Sequence, residues 1–370
     1  MEVITKKQAF FNILNAANKS GTSISKQVII AGPCSAETEE QVLQIAQQLK
    51  ALNKVHLLRA GIWKPRTRPG SFEGVGVVGL PWMQKAKELT GLPTTVEVAT
   101  GKQVENALSF GVDVLWVGAR TTVNPFSVQE IADAVKGTNI PILIKNPLNP
   151  DLELWQGAVE RIAKAGCEHI GLIHRGFSSY GNTEYRNAPM WHLAIEMKRR
   201  FNDLIIINDP SHICGRRDTL QATIQTSIDL DFDGIILESH TDPDNAWSDA
   251  KQQITPEIFG KMLTELLWRS ESTTEAEFIN VLAQMRSQIN QVDDELLTLI
   301  GRRMKIADQI GTYKKTNNIT ILQANRWNEI LEMGYKKGEA FNLSKNFIDK
   351  YFDAIHMESI HHQNNMMNKK

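Results

Sequence analysis

No two cysteines in this 370-residue sequence have the spacing of a redox or zinc motif. Cys34, Cys167 and Cys214 are far apart and odd in number, which argues against a disulfide framework and fits a reducing cytoplasm. An excess of either charge is also missing: 41 Lys and Arg face 42 Asp and Glu, a net of -1. That leaves no global basic field for nucleic acid. Long hydrophobic runs are absent too. A stretch such as VLWVGA is far too short to cross a bilayer. The N-terminal MEVITKKQAFFNILNAANKS is too interrupted by Asn and Gln for a signal peptide. These absences predict a protein with no nucleic-acid partner, no membrane segment and no export.

What the sequence does have is rhythm. Short apolar runs recur at 28–32, 55–60, 93–98, 114–119, 141–146, 169–174, 204–209 and 234–239. They are apolar throughout instead of alternating, as strands buried on both faces must be. Segments of helical character such as TEEQVLQIAQQLKAL separate most of them. Eight such units predict an α/β fold, a closed parallel (β/α)8 TIM barrel. An open doubly wound sheet would call for a GxGxxG turn after the first strand, and GPCSAE stands there instead.

The polar stretch RSESTTEAEF closes this half, and Thr274 and Glu277 have the spacing of a capping box. From there apolar residues step by four and three: Phe278, Leu282, Met285, Ile289, Val292, Leu296, Leu299, Ile306 and Ile310. Two further helical stretches lie around 326–333 and 347–361. The expected organisation is a barrel over 1–268, a linker over 269–275 and an all-α three-helix domain over 276–370. So long a seam on so few helices cannot be buried by one chain, which predicts a homodimer or homotetramer.

In a barrel of this kind the C-terminal ends of the strands surround the active site. Those ends carry Cys34; Arg59 with Lys64 and Arg66; Glu97; Arg120; Lys145; His174 with Arg175; Asp209 with His212; and Glu238. One charged strand end is ordinary, whereas eight in a row are hard to ascribe to solvation. The cations Arg59, Lys64, Arg66, Arg120, Lys145 and Arg175 suit phosphate and carboxylate, and exceed what one phosphate needs. Cys34, His212, Glu238 and Asp249 form a mixed soft and hard donor set for a divalent metal ion such as Mn, Fe, Co or Zn. Singly, each has a plainer reading. Cys34 could be a nucleophile, half of a redox pair or core filler, His212 a locally bonded loop histidine, and Asp249 a helix N-terminal carboxylate.

The motifs AGPCSAE, RAGIWKPRT, VGART, IKNP, HRG, DPSH and ESHTDPDNAWSDAKQQ, in that order over 25–265, resemble the 3-deoxy-D-arabino-heptulosonate 7-phosphate synthases. The form resembled is the short one close to the octulosonate 8-phosphate synthases. The resemblance implies condensation of phosphoenolpyruvate with erythrose 4-phosphate, with metal ligands at Cys34, His212, Glu238 and Asp249. It implies phosphoenolpyruvate contacts at Arg59, Lys64, Arg120, Lys145 and Arg175, the aldose phosphate near Arg66 and Thr67, and Asp209 close to the metal. Lys64 and Asp209 are the catalytic candidates. An octulosonate synthase barrel is the alternative. KPRT speaks against it, because that family usually has an Asn-rich loop here.

In the helical part, Arg303 interrupts the apolar seam, and Lys314, eleven residues on, returns to almost the same face. Arg286, seventeen residues before Arg303, points a quarter to a third of a turn away. Any one of these alone reads as a solvated helix cation. Together, MRSQINQVDDELLTLIGRRMKIADQIGTYK and residues 278–365 resemble the all-helical chorismate mutases. That resemblance implies conversion of chorismate to prephenate with Arg286, Arg303, Arg326 and Ser359 binding substrate, and Lys314 and Gln363 at the ether oxygen. It also implies that Arg286 comes from the partner chain. Two positions depart from the family: Trp327 stands where Glu is frequent and Gln323 where Asp is, and both usually meet the substrate hydroxyl. A non-catalytic, dimerising module that binds prephenate or chorismate as an allosteric effector is the alternative for this domain.

Overall fold

Each apolar run forms a strand in the computed structural model, which describes residues 5–24, 26–65, 70–180, 184–270, 272–322 and 324–368. The strands are β1 (Val28–Gly32), β2 (Leu57–Ala60), β3 (Thr94–Val98), β4 (Val114–Val117), β5 (Ile142–Lys145), β6 (Ile170–His174), β7 (Ile205–Asn208) and β8 (Gly234–Glu238). All pair in parallel and in sequence order, and β1 pairs with β8 to close the barrel. Continuous apolarity has a direct cause. Val28 and Ile30 of β1 face inward with Leu57, Trp116, Leu143, Ile173, Ile207 and Ile236, while Ile29 and Ala31 pack outward under the helices. Several of those helices are capped by a side chain on an otherwise unsatisfied N–H, among them Thr38 on Gln41, Thr100 on Gln103, Asp151 on Leu154 and Thr255 on Ile258. Such caps are worth about 1 kcal/mol each.

The N-terminal block contains a helix, Lys6–Ala17. Its Phe10, Phe11 and Leu14 join the interior cluster with Val28, Val114 and Ile205, residues at the strand beginnings. Lys7 Nζ pairs with Asp233 Oδ1 at 2.7 Å, just before β8. The helix therefore stoppers the end of the barrel opposite the charged rim.

The chain divides into two compact units, Met1–Glu271 and Ser272–Lys370. The second consists of helices Ala276–Thr316, Ala324–Ala340 and Lys345–Asn368. The capping box expected at Thr274 and Glu277 does not form. Glu275 is the N-cap residue and caps with no side-chain bond, while Thr273 Oγ1 accepts the Glu275 N–H at 3.2 Å. On the long helix, Phe278, Met285, Ile289, Val292, Leu296 and Ile306 are exposed. Among the described residues no helix is long and apolar enough to cross a membrane.

Candidate functional site

Register brings the first donors together. Gly32 lies opposite Glu238, so Cys34, two residues on, meets that carboxylate and the loop after β8. One donor atom from each of Cys34, Glu238 and Asp249 lies within 4.8 Å of the others. Asp249 holds a left-handed backbone, φ 46°, a conformation costing about 1 kcal/mol or more that tends to persist at functional sites. His212 borders this set from the other side. Its Nδ1 is 2.9 Å from Asp209 Oδ2 and its Nε2 is 3.8 Å from Glu238 Oε1. Bonding through Nδ1 leaves Nε2 as the nitrogen free to accept.

Basic side chains hold the donor atoms in place. Lys64 Nζ donates to Cys34 Sγ at 3.0 Å, and Arg186 Nη1 donates to Asp249 Oδ1 at 3.0 Å. Gly61 makes room for that lysine: a Cβ there would stand 2.6 Å from both Lys64 Cε and Nζ. Gln252 Nε2 donates to Glu238 Oε2 at 2.6 Å, whereas Glu238 Oε1, fully buried, accepts no hydrogen bond. That oxygen, which meets Arg59 Nη2 at 3.2 Å, lies beside a thiol and a second carboxylate, a donor set that fits a metal ion. Burial, then the Glu238 charge, pushes the Cys34 thiol up to about 12. A thiol so reluctant to ionise is a poor nucleophile and a poor redox group, and it would ligate only where a metal ion displaces its proton. Burial holds the His212 imidazole below its ordinary value, with Asp209 and Glu238 opposing in part. Burial also opposes ionisation of Asp209 and Glu238, but His212 with Lys145 outweighs it at the first and His212 with Arg59 at the second. Both carboxyls therefore sit below their usual range.

Beside this set lies an anion cradle floored by Trp116. Arg59 Cζ lies 5.0 Å and Lys145 Nζ 5.8 Å from the indole centroid, and the indole N–H donates to Glu97 Oε2 at 3.0 Å. Arg59 is 1% exposed, its Nη2 is 3.2 Å from Glu238 Oε1, and its Nε and Nη1 have no hydrogen-bond partner among the described residues. Lys145 Nζ is 2.8 Å from Asp209 Oδ2. Arg175 Nη1 donates to Asn187 Oδ1 at 2.7 Å, and burial, with Arg186 and Arg120 nearby, lowers its guanidinium to about 10. Arg120 stands exposed one turn past β4. Arg66 and Thr67 lie outside the described residues.

One rim residue is placed differently. Ile173 takes the inward position on β6, so His174 points outward and packs against Trp191, Phe177 and Phe232, with ring centroids 5.1, 5.8 and 6.0 Å away. Arg186, Gln252 and the Trp116 floor were not anticipated. The first two sit on loops where no periodicity marks them, and Trp116 reads as one more apolar strand residue.

In the helical unit Arg303 Nη1 donates to Ser359 Oγ, and to the Ile355 carbonyl at 3.4 Å. Gln363 Nε2 donates to the Ser359 carbonyl at 3.3 Å, and its buried Oε1 has no partner among the described residues. Gly311 lets the two helices close here: a Cβ would stand 2.8 Å from Gln363 Cα. Lys314 Nζ donates to the Ile321 carbonyl at 2.5 Å and lines a groove of about 570 Å3 with Ile306, Ile310 and Tyr313. Arg326 turns outward to Glu329 at 2.8 Å, and Gln323 lies outside the described residues. Arg286 is exposed and about 25 Å along the helix from Arg303, so one protomer does not unite them.

Residues 13–275 match the DAHP synthetase I family. The chain belongs to that family. Residues 285–364 match chorismate mutase type II, so the same chain carries a domain of each kind. The phospho-2-dehydro-3-deoxyheptonate aldolase of Thermotoga maritima is 33% identical over 238 residues, covering 64% of this chain and 68% of its own length. A crystal structure of the DAHP synthase from Thermotoga maritima aligns at 32% identity with a TM-score of 0.59, covering 65% of this chain and 68% of that one. A 2-dehydro-3-deoxyphosphooctonate aldolase from Desulfatibacillum aliphaticivorans is 27% identical over 260 residues, 65% of this chain and 90% of its own length.

Proposed function

We infer that the barrel condenses phosphoenolpyruvate with erythrose 4-phosphate to 3-deoxy-D-arabino-heptulosonate 7-phosphate and phosphate, and that the helical unit rearranges chorismate to prephenate. The observation that carries the first activity is Arg59. A guanidinium 1% exposed, with two nitrogens unmatched among the described residues, is costly unless an anion arrives to meet it. Arg59 and Lys145 over Trp116, with Arg175 and Arg120, would grip the phosphate and carboxylate of phosphoenolpyruvate. Cys34, His212, Glu238 and Asp249 would hold the divalent metal, which when bound polarises the aldehyde oxygen. Lys64, beside Cys34, is placed to give a proton to that oxygen as C3 of phosphoenolpyruvate attacks the aldehyde carbon. Asp209 is the acceptor for the proton lost when water adds at C2, and the resulting hemiketal then releases phosphate. Arg66 and Thr67 would take the aldose phosphate.

For the rearrangement, which needs neither acid nor base, the help comes from fixing the compact conformer and stabilising charge on the breaking ether bond. Arg303, Arg326 and Ser359 would hold the carboxylates, and Lys314 with Gln363 the ether oxygen. Arg286 would enter from a second copy of the chain, whose long helix would cover the exposed apolar seam as a dimer. Barrel contacts could extend that to a tetramer. Chorismate or prephenate on the helices would then be able to act as an effector of the barrel, in a cytoplasmic enzyme whose thiol stays reduced.

One set of assays tests both activities. Cys34→Ala is expected to abolish heptulosonate phosphate formation and bound metal while chorismate turnover stays within about twofold, and a chelator should reproduce that split. Full synthase activity in metal-free Cys34→Ala protein would sink the ligand assignment. Turnover of arabinose 5-phosphate in preference to erythrose 4-phosphate would instead favour the octulosonate reading.

A further inference from the structure

In the helical unit a tryptophan and a histidine lie face to face in a place the mutase reading leaves unassigned. Trp327, next to Arg326 on the second helix, stacks on His356 of the third, with ring centroids 4.2 Å apart and planes at 29°. Around the third helix His356 and Gln363 are seven residues apart, so their positions differ by only about 20°. Ser359 lies one turn from His356 on the same side. Ile355, the residue before His356, and Ser359 are the two groups on this helix to which Arg303 donates. His356 thus borders the cluster of Arg303, Ser359 and Gln363. Among the described residues its ring nitrogens make no hydrogen bond.

Chorismate presents two carboxylates, an ether oxygen and a ring hydroxyl. The carboxylates and ether oxygen have cations and an amide assigned to them. The hydroxyl has none assigned among the described residues: Trp327 stands where an acidic partner is expected, and Gln323 lies outside them. We propose that His356 is the residue that hydrogen-bonds the ring hydroxyl, and that Trp327 is the positioning residue that holds its imidazole beside Arg303, Ser359 and Gln363. This rests on the mutase reading of the helical unit. Burial, then the Arg303 charge, keeps the imidazole below its ordinary value, so at neutral pH it offers one N–H and one acceptor nitrogen, either of which suits a hydroxyl. Stacking supplies what a lone helix-surface histidine lacks, a fixed ring plane.

The full-length protein is assayed with chorismate and with an analogue carrying hydrogen in place of the ring hydroxyl. Wild type should lose about tenfold in kcat/KM on the analogue, the scale of one directed hydrogen bond. His356→Ala should lose about tenfold on chorismate and nothing further on the analogue. His356→Asn, which keeps a donor and an acceptor, should recover part of the loss. Trp327→Leu should weaken chorismate selectively, mainly through KM, and Trp327→Phe should restore it. Equal losses on both substrates in the His356 variants, with unfolding curves unchanged, would overturn the proposal. If wild type turns over no chorismate the mutase reading itself fails, and calorimetric binding of the two ligands decides instead. Equal wild-type affinities then overturn the role of His356, and a His356-dependent difference sustains it.

Discussion

At the scale of single residues, the barrel carries titratable groups of two kinds, those facing a ligand site and those sealed away from one. His174 is the clearest of the second kind. Burial among three aromatic rings pushes its imidazole down to about 3, with the Pro189 carbonyl and Asp209 opposing only in part. A histidine depressed in the folded state stays neutral there while the unfolded chain takes up a proton. Its contribution to stability is therefore complete above about pH 6.5 and is lost as the pH falls toward 3. The slope approaches about 1.4 kcal/mol per pH unit for one fully buried group. His56, lowered to about 4 by burial, adds to the same acid-side loss. His174→Leu should flatten the decline in the barrel's denaturation midpoint between pH 6.5 and 4.5, and an unchanged decline would show that other groups govern it. The residue also marks where sequence reading stopped. On a strand, moving one position reverses the face. The ends of the runs show that ionisable groups gather at the rim, but not that Ile173 takes the inward place and His174 the outward one.

At the scale of elements, Gly311 makes a sharp case. It permits the long helix and the third helix to approach until a Cβ would meet the Gln363 backbone. Gly311→Ala should spread that contact at a cost of about 1–3 kcal/mol. It should also lower chorismate turnover by roughly tenfold or more, since Arg303, Ser359 and Gln363 share the same helix pair. The heptulosonate reaction serves as the internal control, and an undiminished mutase would refute the packing role. Elements were legible in proportion to how locally their partners are encoded. Each strand announces itself because both faces are buried, and the long helix because its apolar stripe repeats over many turns. The helix Lys6–Ala17 did not, since Phe10, Phe11 and Leu14 make a brief stripe among Asn and Gln. Its partner is the far mouth of a barrel that only the closed fold creates. The missing capping box fails for the opposite reason. Its residues have the right spacing, but Thr273 reaches the Glu275 N–H and the helix begins a residue late.

At the scale of the whole molecule, the proposed mutase site calls on both Arg286 and Arg303, which lie about 25 Å apart along one helix, and so on a second chain. Arg286→Ala and Arg303→Ala proteins should each be nearly inactive as mutases. Unfolding and refolding them together should regain a substantial fraction of activity, because mixed dimers rebuild an intact site from two damaged chains. No recovery in mixed dimers verified by mass would place Arg286 outside the site. The barrel has a different whole-molecule property. Below Trp116 it is filled with apolar side chains, and the helix Lys6–Ala17 stops its far end. The result is a dead-end street with one mouth. If phosphoenolpyruvate takes the Trp116 floor as proposed, it would have to enter before anything that binds nearer the single mouth. Substrates in such a tube form a queue, with phosphoenolpyruvate first in, and product-inhibition patterns should read as an ordered sequence instead of a random one.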